Sequence, residues 1–593
     1  MHRKWLVNRT NKEYIRYLSK TASVSPVLAQ ILINRGIKTS EGINDFLNPA
    51  ISQLSDPFDI PGVKVAVERI IDASKRDEKV LVHGDYDVDG LSATAIIVKA
   101  LKLLGIDCHY FIPHRMEHGY GFNLPSLEKA KQTGAKLIIT VDCGITSFEA
   151  VSLSKKEGID VIITDHHEPL KNEKLEMRNE KSETNFQIPI SNFQFLLPDA
   201  FVVINPKISN PQSPVSHLSG AGVAFKIAQA LSMSAPHEAG GSNSPFSIHD
   251  FFDLAALGTI ADVVPITEEN RVIVKEGLKL LENGTGPGLT ALKSVSGIER
   301  RGLKTGLLLF TIIPRINAAG RISDSHKVVQ LLLTDSEDEA IEIASWLDKL
   351  NSERQEIEEG IYQEAMNRLN KKGIGSAIVL SSEGWHRGVI GIVASRIAEV
   401  FCRPTFIVSI EGEIARGSAR SIPSFDIYRG LTHCREFLTD FGGHKQAAGF
   451  KLKSEDILSF EEKMNRIVNE SVSNEDFVPA LKIDASVNLS DITSNLIREL
   501  DMLEPLGFGN PVPLLGSKGL EVLNTKIVGN NHLKMKLKQR SHTIDTIGFD
   551  MAEFVDTLEV STTIDAVFVP FINEWEGGRC LQLNLKAFRP SIQ

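Results

Sequence analysis

Four short aspartate-rich segments in the first half of the chain each follow an apolar run, and this pairing restricts the fold more than any other feature of the sequence. The segments are His83-Gly84-Asp85-Tyr86-Asp87-Val88-Asp89-Gly90, Val141-Asp142-Cys143-Gly144, Thr164-Asp165-His166-His167-Glu168 and Thr259-Ile260-Ala261-Asp262. The preceding runs Lys79 to Val82, Leu137 to Val141 and Val161 to Ile163 read as buried strands, and Leu254 to Leu257 is read as a fourth. In an open parallel sheet the carboxyl ends of the strands converge on one crevice. Acids gathered there repel one another unless something positive sits among them. A divalent metal is the natural partner, and mixed His and Asp ligands suit Mn²⁺ or a similar borderline ion.

With 593 residues several domains are expected, and 42% hydrophobic with 24% charged residues is ordinary for a soluble globular protein. The five cysteines have no paired spacing, which argues against a disulfide framework and a zinc cluster and fits a reducing compartment. Charges interrupt Met1 to Lys20, so no signal peptide is read there, and no apolar run is long enough to span a bilayer. A net charge of -10 is not that of a protein coated for nucleic acid, but it leaves room for a local groove. Basic residues gather at Arg387, Arg396, Arg403, Arg416, Arg420, Arg435 and Lys445, and again at Lys534, Lys536, Lys538 and Arg540.

The pattern divides the chain into a helical N-terminal segment (1–75) and an α/β domain with a parallel sheet (76–333). A long connecting helix (334–372), a second α/β domain (373–470) and a small β-barrel (480–593) follow. Ser336-Glu337-Asp338-Glu339 fits a capping box at the start of the long helix. Ile483, Ala485, Val487 and Leu489 alternate, as do Leu533, Met535 and Leu537 against Lys534, Lys536 and Lys538, after a turn at Gly529-Asn530-Asn531. Lys171 to Phe195 and Ser234 to Ser247 read as surface loops or insertions.

His83, Asp87 and Asp89 have the spacing H-x-x-x-D-x-D, and on a loop leaving a strand alternate residues can point into one crevice. A solvated turn is the plain alternative for that segment alone. Asp165-His166-His167 is sharper, because one imidazole can bind metal while its neighbour faces substrate. With Asp142 and Asp262 this pattern resembles the DHH phosphoesterase superfamily. Further segments resemble its RecJ family of single-stranded-DNA-specific 5′→3′ exonucleases: Pro113-His114-Arg115, Gly119-Tyr120-Gly121, Pro314 to Arg321 (PRINAAGR), Gly384 to Gly391 (GWHRGVIG), Gly442-Gly443-His444, Ala447-Ala448-Gly449 and Glu504 to Pro511 (EPLGFGNP).

The resemblance covers about Lys79 to the C-terminus and implies DHH, DHHA1 and OB-fold domains. It implies two Mn²⁺ or Mg²⁺ ions held by His83, Asp87, Asp89, Asp142, His166 and Asp262, with Asp142 bridging and Asp85 ranked below them. His167 would contact the scissile phosphate. Arg115, Arg315, Ser418 and Arg420 would lie near the 5′ phosphate and backbone, Trp385 and His386 along the path of the strand, and His444 on a phosphate-approaching loop. The barrel would bind single strands through Lys534, Lys536 and Lys538, or present them as a solvated face. Phe549, Phe571 and Trp575 could stack on bases or fill the core, and the core is the safer reading. The substrate would be single-stranded DNA degraded to mononucleotides in repair and recombination. The protein would be cytoplasmic and monomeric, off the membrane, with a single-strand-binding protein and a helicase as candidate partners. Lys171 to Phe195 departs from the family pattern, and no fourth domain is read after the barrel. A small-substrate DHH phosphodiesterase would lack the barrel and the PRINAAGR segment, and an inactive scaffold would show substituted ligand positions.

Overall fold

The computed structural model describes residues 3–8, 10–115, 119, 121–171, 195–208, 213–234, 246–299, 302–575 and 578–591. The chain divides into two compact units, one of Met1–Leu6, Arg321–Ser323 and Asp348–Lys482, the other of Val7–Gly320, Asp324–Leu347 and Ile483–Gln593.

In the larger unit the strands Val80–Gly84, Cys108–Phe111, Leu137–Val141, Asp160–Thr164 and Val202–Ile204 form an all-parallel sheet. Numbered along the chain, their spatial order is 2-1-3-4-5. The order reverses between the first and third strands, and ligands bind outside the carboxyl ends at such a switch point. The central strands Val80–Gly84 and Leu137–Val141 are buried along their whole length, which is why they read as continuous apolar runs.

The run Leu254 to Leu257 is not a strand. It lies inside the helix Phe252–Ala261, which ends with Asp262 as its C-cap. Every residue from Phe252 to Ile260 is buried, so no polar face marks the helical period, and a short apolar run of this kind cannot be told from a strand by pattern. The helix packs against Val88–Leu103 and Gly220–Ser234.

The C-terminal strands Leu515–Val528, His532–Gln539, His542–Gly548, Gly578–Pro590 and Thr563–Trp575 close into a barrel, because the first also pairs with the last. Gly529-Asn530-Asn531 forms the expected turn, with Gly529 at φ 60°. The barrel does not have a core of its own. Leu515, Leu537 and Phe568 share one apolar cluster with Leu18, Leu28 and Leu32 from the helices Lys12–Thr21 and Pro26–Asn34.

The smaller unit holds a mixed sheet in the order Leu438–Gly443, Ala447–Lys453, Ile414–Arg420, Thr405–Glu411, Ile378–Glu383. Only the last two strands run parallel. The 36-residue helix Glu337–Lys372 contributes to both units. Its capping box is half formed. Ser336 Oγ accepts from Glu339 N at 3.4 Å, but the Glu339 carboxylate bonds the Thr334 hydroxyl, and it is Thr334 Oγ1 that accepts from Ser336 N at 3.1 Å.

Candidate metal centre

The acidic segments meet at the sheet's switch point. His83 lies near the end of the first strand. Asp87 caps the following helix, its Oδ1 accepting from Gly90 N at 3.1 Å, and Asp89 stands in that helix's first turn. Asp89 is buried and accepts from Gly220 N at 2.6 Å and Ala221 N at 2.8 Å, the opening amides of Gly220–Ser234, where a helix favours negative charge. Asp142 follows the third strand with φ 59°, a left-handed conformation that aspartate tolerates better than most residues and that marks functional sites.

Ligand atoms lie within 4.8 Å of one another in three overlapping sets: Asp142 with His166 and His167, Asp89 with His166 and Asp262, and Asp85 with Asp87 and Asp142. His166 Nε2 stands 3.1 Å from Asp142 Oδ1, 3.6 Å from Asp262 Oδ2 and 3.8 Å from Asp89 Oδ2. Asp142 and His166 each belong to two sets, the property a shared ligand needs. The structure also brings Asp85 into the cluster, against its lower rank from sequence.

Burial raises the Asp85, Asp89 and Asp142 carboxyls well above the ordinary carboxylate range, and the neighbouring carboxylates push in the same direction. Burial also holds the imidazoles of His83 and His166 down, to about 3 and about 4, so both are neutral, the ligand form. His83 Nδ1 lies 2.9 Å from Ser126 Oγ, whose proton goes to Asn123 Oδ1 at 3.2 Å. Nδ1 therefore carries hydrogen and Nε2 carries the lone pair. Among the described residues that buried Nε2 has no hydrogen-bond partner, and neither do His166 Nδ1, Asp142 Oδ1 and Asp262 Oδ2. Buried polar atoms left bare beside several acids fit divalent cations.

Asp165 has a different task. Its Oδ1 accepts from His166 N, His167 N and His167 Nδ1 at 2.7, 3.0 and 2.8 Å, and its Oδ2 from Ile145 N at 2.9 Å. The Oδ1 contacts fix the pair of histidines and the Oδ2 contact anchors Asp165 itself, as outer carboxylates do around metal sites. Burial pulls the His167 imidazole down, but the Asp165 hydrogen bond and the surrounding carboxylates reverse this and raise it to about 9.

In the smaller unit, Ser418 and Arg420 face the start of the 12-residue helix Ile390–Phe401. A Cβ on Gly391 would lie 2.9 Å from Ser418 Oγ and 3.3 Å from Arg420 Nη2, so a hydroxyl, a guanidinium and helix-opening amides share one corner.

A family model of the DHH N-terminal domain matches residues 79–259, one of the DHHA1 domain residues 357–470, and one of the RecJ OB domain residues 483–587. Over 588 residues the chain is 35% identical to the single-stranded-DNA-specific exonuclease RecJ of Bacillus subtilis (strain 168), covering 98% of this chain and 70% of that protein. The chain belongs to the RecJ family. RecJ of Escherichia coli (strain K12) is 31% identical over 579 residues, 95% of each chain. The crystal structure of RecJ in complex with Mn²⁺ from Thermus thermophilus matches with a TM-score of 0.81 at 29% identity, covering 100% of this chain and 80% of that one.

Other residues singled out by the RecJ-family resemblance lie as follows. Arg115 is exposed, with its guanidinium 5.1 Å from the centre of the Tyr86 ring in the first acidic loop. Arg315, half-buried on Ile312–Ile322, donates to Thr311 O at 2.8 Å. His444 is exposed on a hairpin turn, and His386 is half-buried, its Nδ1 accepting from Gly388 N at 3.1 Å. Trp385 does not line an open path: it is 4% exposed, donates Nε1–H to Glu364 at 2.8 Å and packs in a core with Val389 and Val393. Phe549 is 48% exposed rather than core, and Phe571 is half-buried. The side chain of Trp575, Tyr120, and residues 172–194 and 235–245 lie outside the described residues. At the borders of the Lys171–Phe195 stretch, Leu170–Lys171 pairs antiparallel with Phe195–Leu196.

Sequence reasoning passed over two glycines that this RecJ-family centre requires. A Cβ on Gly220 would lie 2.5 Å from Asp142 Cβ, and one on Gly258 would lie 2.6 Å from Asp89 Oδ1 and 2.4 Å from Ala221 Cβ. The signal available was the run of small residues Ser219-Gly220-Ala221-Gly222.

Proposed function

We propose that this chain is a metal-dependent exonuclease that degrades single-stranded DNA from the 5′ end to mononucleotides. The observation that carries the reading is the buried cluster of carboxylates and neutral imidazoles with bare ligand atoms at the sheet's switch point. His83, Asp85, Asp87, Asp89, Asp142, His166 and Asp262 would hold Mn²⁺ or Mg²⁺, with Asp142 shared. Bound as a pair, such ions supply an activated water and neutralise charge on the leaving oxygen. His167, with Nδ1 committed to Asp165, keeps a proton on Nε2 that can be donated to a phosphate oxygen. Arg115 beside Tyr86 adds a cation near the same loop. Ser418, Arg420 and the amides at Gly391 form an anion corner suited to a terminal 5′ phosphate, which would give the enzyme its polarity.

The reading extends to a cytoplasmic monomer acting in repair and recombination. A strand-specific enzyme needs another protein to open duplex, so a helicase and a single-strand-binding protein are its fitting partners. The test is a time course with Mn²⁺ on 5′-labelled and 3′-labelled single strands, with blunt duplex as control. Early release of 5′-labelled mononucleotide while duplex persists is expected. Undiminished hydrolysis in excess chelator, or first release of the 3′ label, overturns the proposal.

A further inference from the structure

Asp262 is held differently from the other candidate carboxylates. Asp87 and Asp89 accept backbone amides, whereas Asp262 Oδ2 has no hydrogen-bond partner among the described residues. The Asp262 side chain is also 27% exposed, against 3% for Asp89 and 2% for Asp142. Its aim therefore depends on where the backbone puts it. That backbone leaves the helix Phe252–Ala261 at Asp262 and runs without regular structure to Thr267, where the helix Glu268–Asn283 begins.

One buried side chain fixes this loop. Asn270 stands in the first turn of Glu268–Asn283 and is 2% exposed. Its Nδ2 donates to Pro265 O at 3.0 Å and to His217 O at 2.6 Å. Two carbonyl acceptors require the amide nitrogen on that side, which settles the orientation of the side chain. Pro265 belongs to the loop that starts at Asp262. His217 lies just before Gly220, whose amide donates to Asp89. The Asp262 loop is thus moored to the turn that already holds a second candidate ligand. The same loop also meets the Glu504 to Pro511 segment. Ile266 N donates to Phe508 O at 2.8 Å, and a Cβ on Gly507 would lie 2.7 Å from Ile266 Cγ1.

We propose that Asn270 is a positioning residue for the metal centre, mooring the Asp262 loop so that Asp262 converges with Asp89 on His166. It acts through the backbone of that loop, and the inference rests on the metal reading of the site. The test is a Mn²⁺ titration of the full chain without DNA, read from the loss of the free-ion EPR signal. Asn270→Leu removes both donors at similar volume and should weaken Mn²⁺ binding about tenfold, the size of loss seen when a residue that orients metal ligands is removed. Arg69→Met strips the partner from Glu78 and from Asp160, which opens the strand Asp160–Thr164 at the end away from the histidines. It should lower Tm and leave Mn²⁺ affinity unchanged, and an equal loss of affinity there would reduce the Asn270 effect to general destabilisation and overturn the proposal. In a double-mutant cycle, Asn270→Leu should cost little once Asp262→Asn is present, because the ligand it positions is gone; additive losses overturn the proposal. Should Asn270→Leu fail to melt cooperatively, Gly507→Ala carries the test, since its Cβ displaces Ile266 in the same loop. Unchanged affinity there shows that the loop's placement does not set the site and overturns the proposal. Absence of Mn²⁺ binding by the wild type sinks the metal reading and this inference with it, whereas wild-type affinity in a folded Asn270→Leu sinks this inference alone.

Discussion

Burial and mutual repulsion raise the Asp142, Asp89 and Asp85 carboxyls well above the ordinary carboxylate range when no cation is present, and this gives the metal-free protein a characteristic pH response. Between pH 7 and 9, His83 and His166 are neutral in folded and unfolded chains alike, because their folded values are about 3 and about 4, and they add no slope. His167, raised to about 9, holds in the folded chain a proton that the unfolded chain has given up above about 6.5. The raised carboxyls act in the same direction. Metal-free stability should therefore fall as pH rises from 7 to 9, read as Tm in chelator, and His167→Gln should flatten the fall. Added Mn²⁺ should reverse the trend, since deprotonated ligands bind it best. A metal-free Tm that is flat or rising over this window would contradict the assignment. The candidate ligands were legible in the sequence because Asp and His gather where apolar runs end. It could not show Asp165 turned to hold the His167 imidazole and the backbone amides of both histidines, since only the folded loop separates a ligand from its support.

Arg271, on the helix Glu268–Asn283, shows how one side chain can join several elements. It is 1% exposed, yet its guanidinium donates to Phe46 O at 2.6 Å, Leu503 O and Pro505 O at 3.0 Å, Met502 O at 3.1 Å and Glu504 O at 2.8 Å. The ring of Phe46 lies 3.9 Å beneath it. Asn510 Nδ2 bonds Leu503 O and Pro505 O, and Ile266 N donates to Phe508 O at 2.8 Å, so the EPLGFGNP segment is a fastening between the barrel and the catalytic domain. Arg271→Met strips donors from five carbonyls, those of Leu503 and Pro505 in buried hydrogen bonds, and should destabilise by about 3 kcal/mol or more, with Arg271→Lys recovering little because one ammonium cannot reach that fan of acceptors. Equilibrium urea unfolding measures it, and a change under about 1 kcal/mol would show that water replaces the guanidinium. The segment was visible as a motif, but its role was not, because the partner lies more than two hundred residues away. The helix Phe252–Ala261 was mistaken for a strand for a related reason: its surroundings, not its own pattern, decide its form.

The N-terminal helices and the C-terminal barrel are one body, although they lie at opposite ends of the chain. Removing residues after about Asn469 would therefore do more than weaken strand binding. It would uncover Leu18, Leu28, Ile31 and Leu32, each at most 1% exposed, and leave Arg271 without four of its carbonyls. Such a truncation should become protease-sensitive across residues 11–47, and a resistant N-terminus on limited proteolysis would refute the shared core. Barrel binding is better probed by charge. Lys536 and Lys538 are already paired, at 3.8 Å from Asp545 and 3.0 Å from Glu521, whereas no ion pair is found for Lys534 among the described residues. What the sequence determined by itself was the parallel sheet, the acids at its strand ends and the barrel's alternation, because strand burial and side-chain period are written locally in residue type. Tertiary structure alone decided that the strand order reverses between the first and third strands and that Gly220 and Gly258 leave room for the carboxylates. It alone placed Trp385 inside and Phe549 outside, and made the two ends of the chain share a core, because each depends on contacts between residues that no local pattern joins.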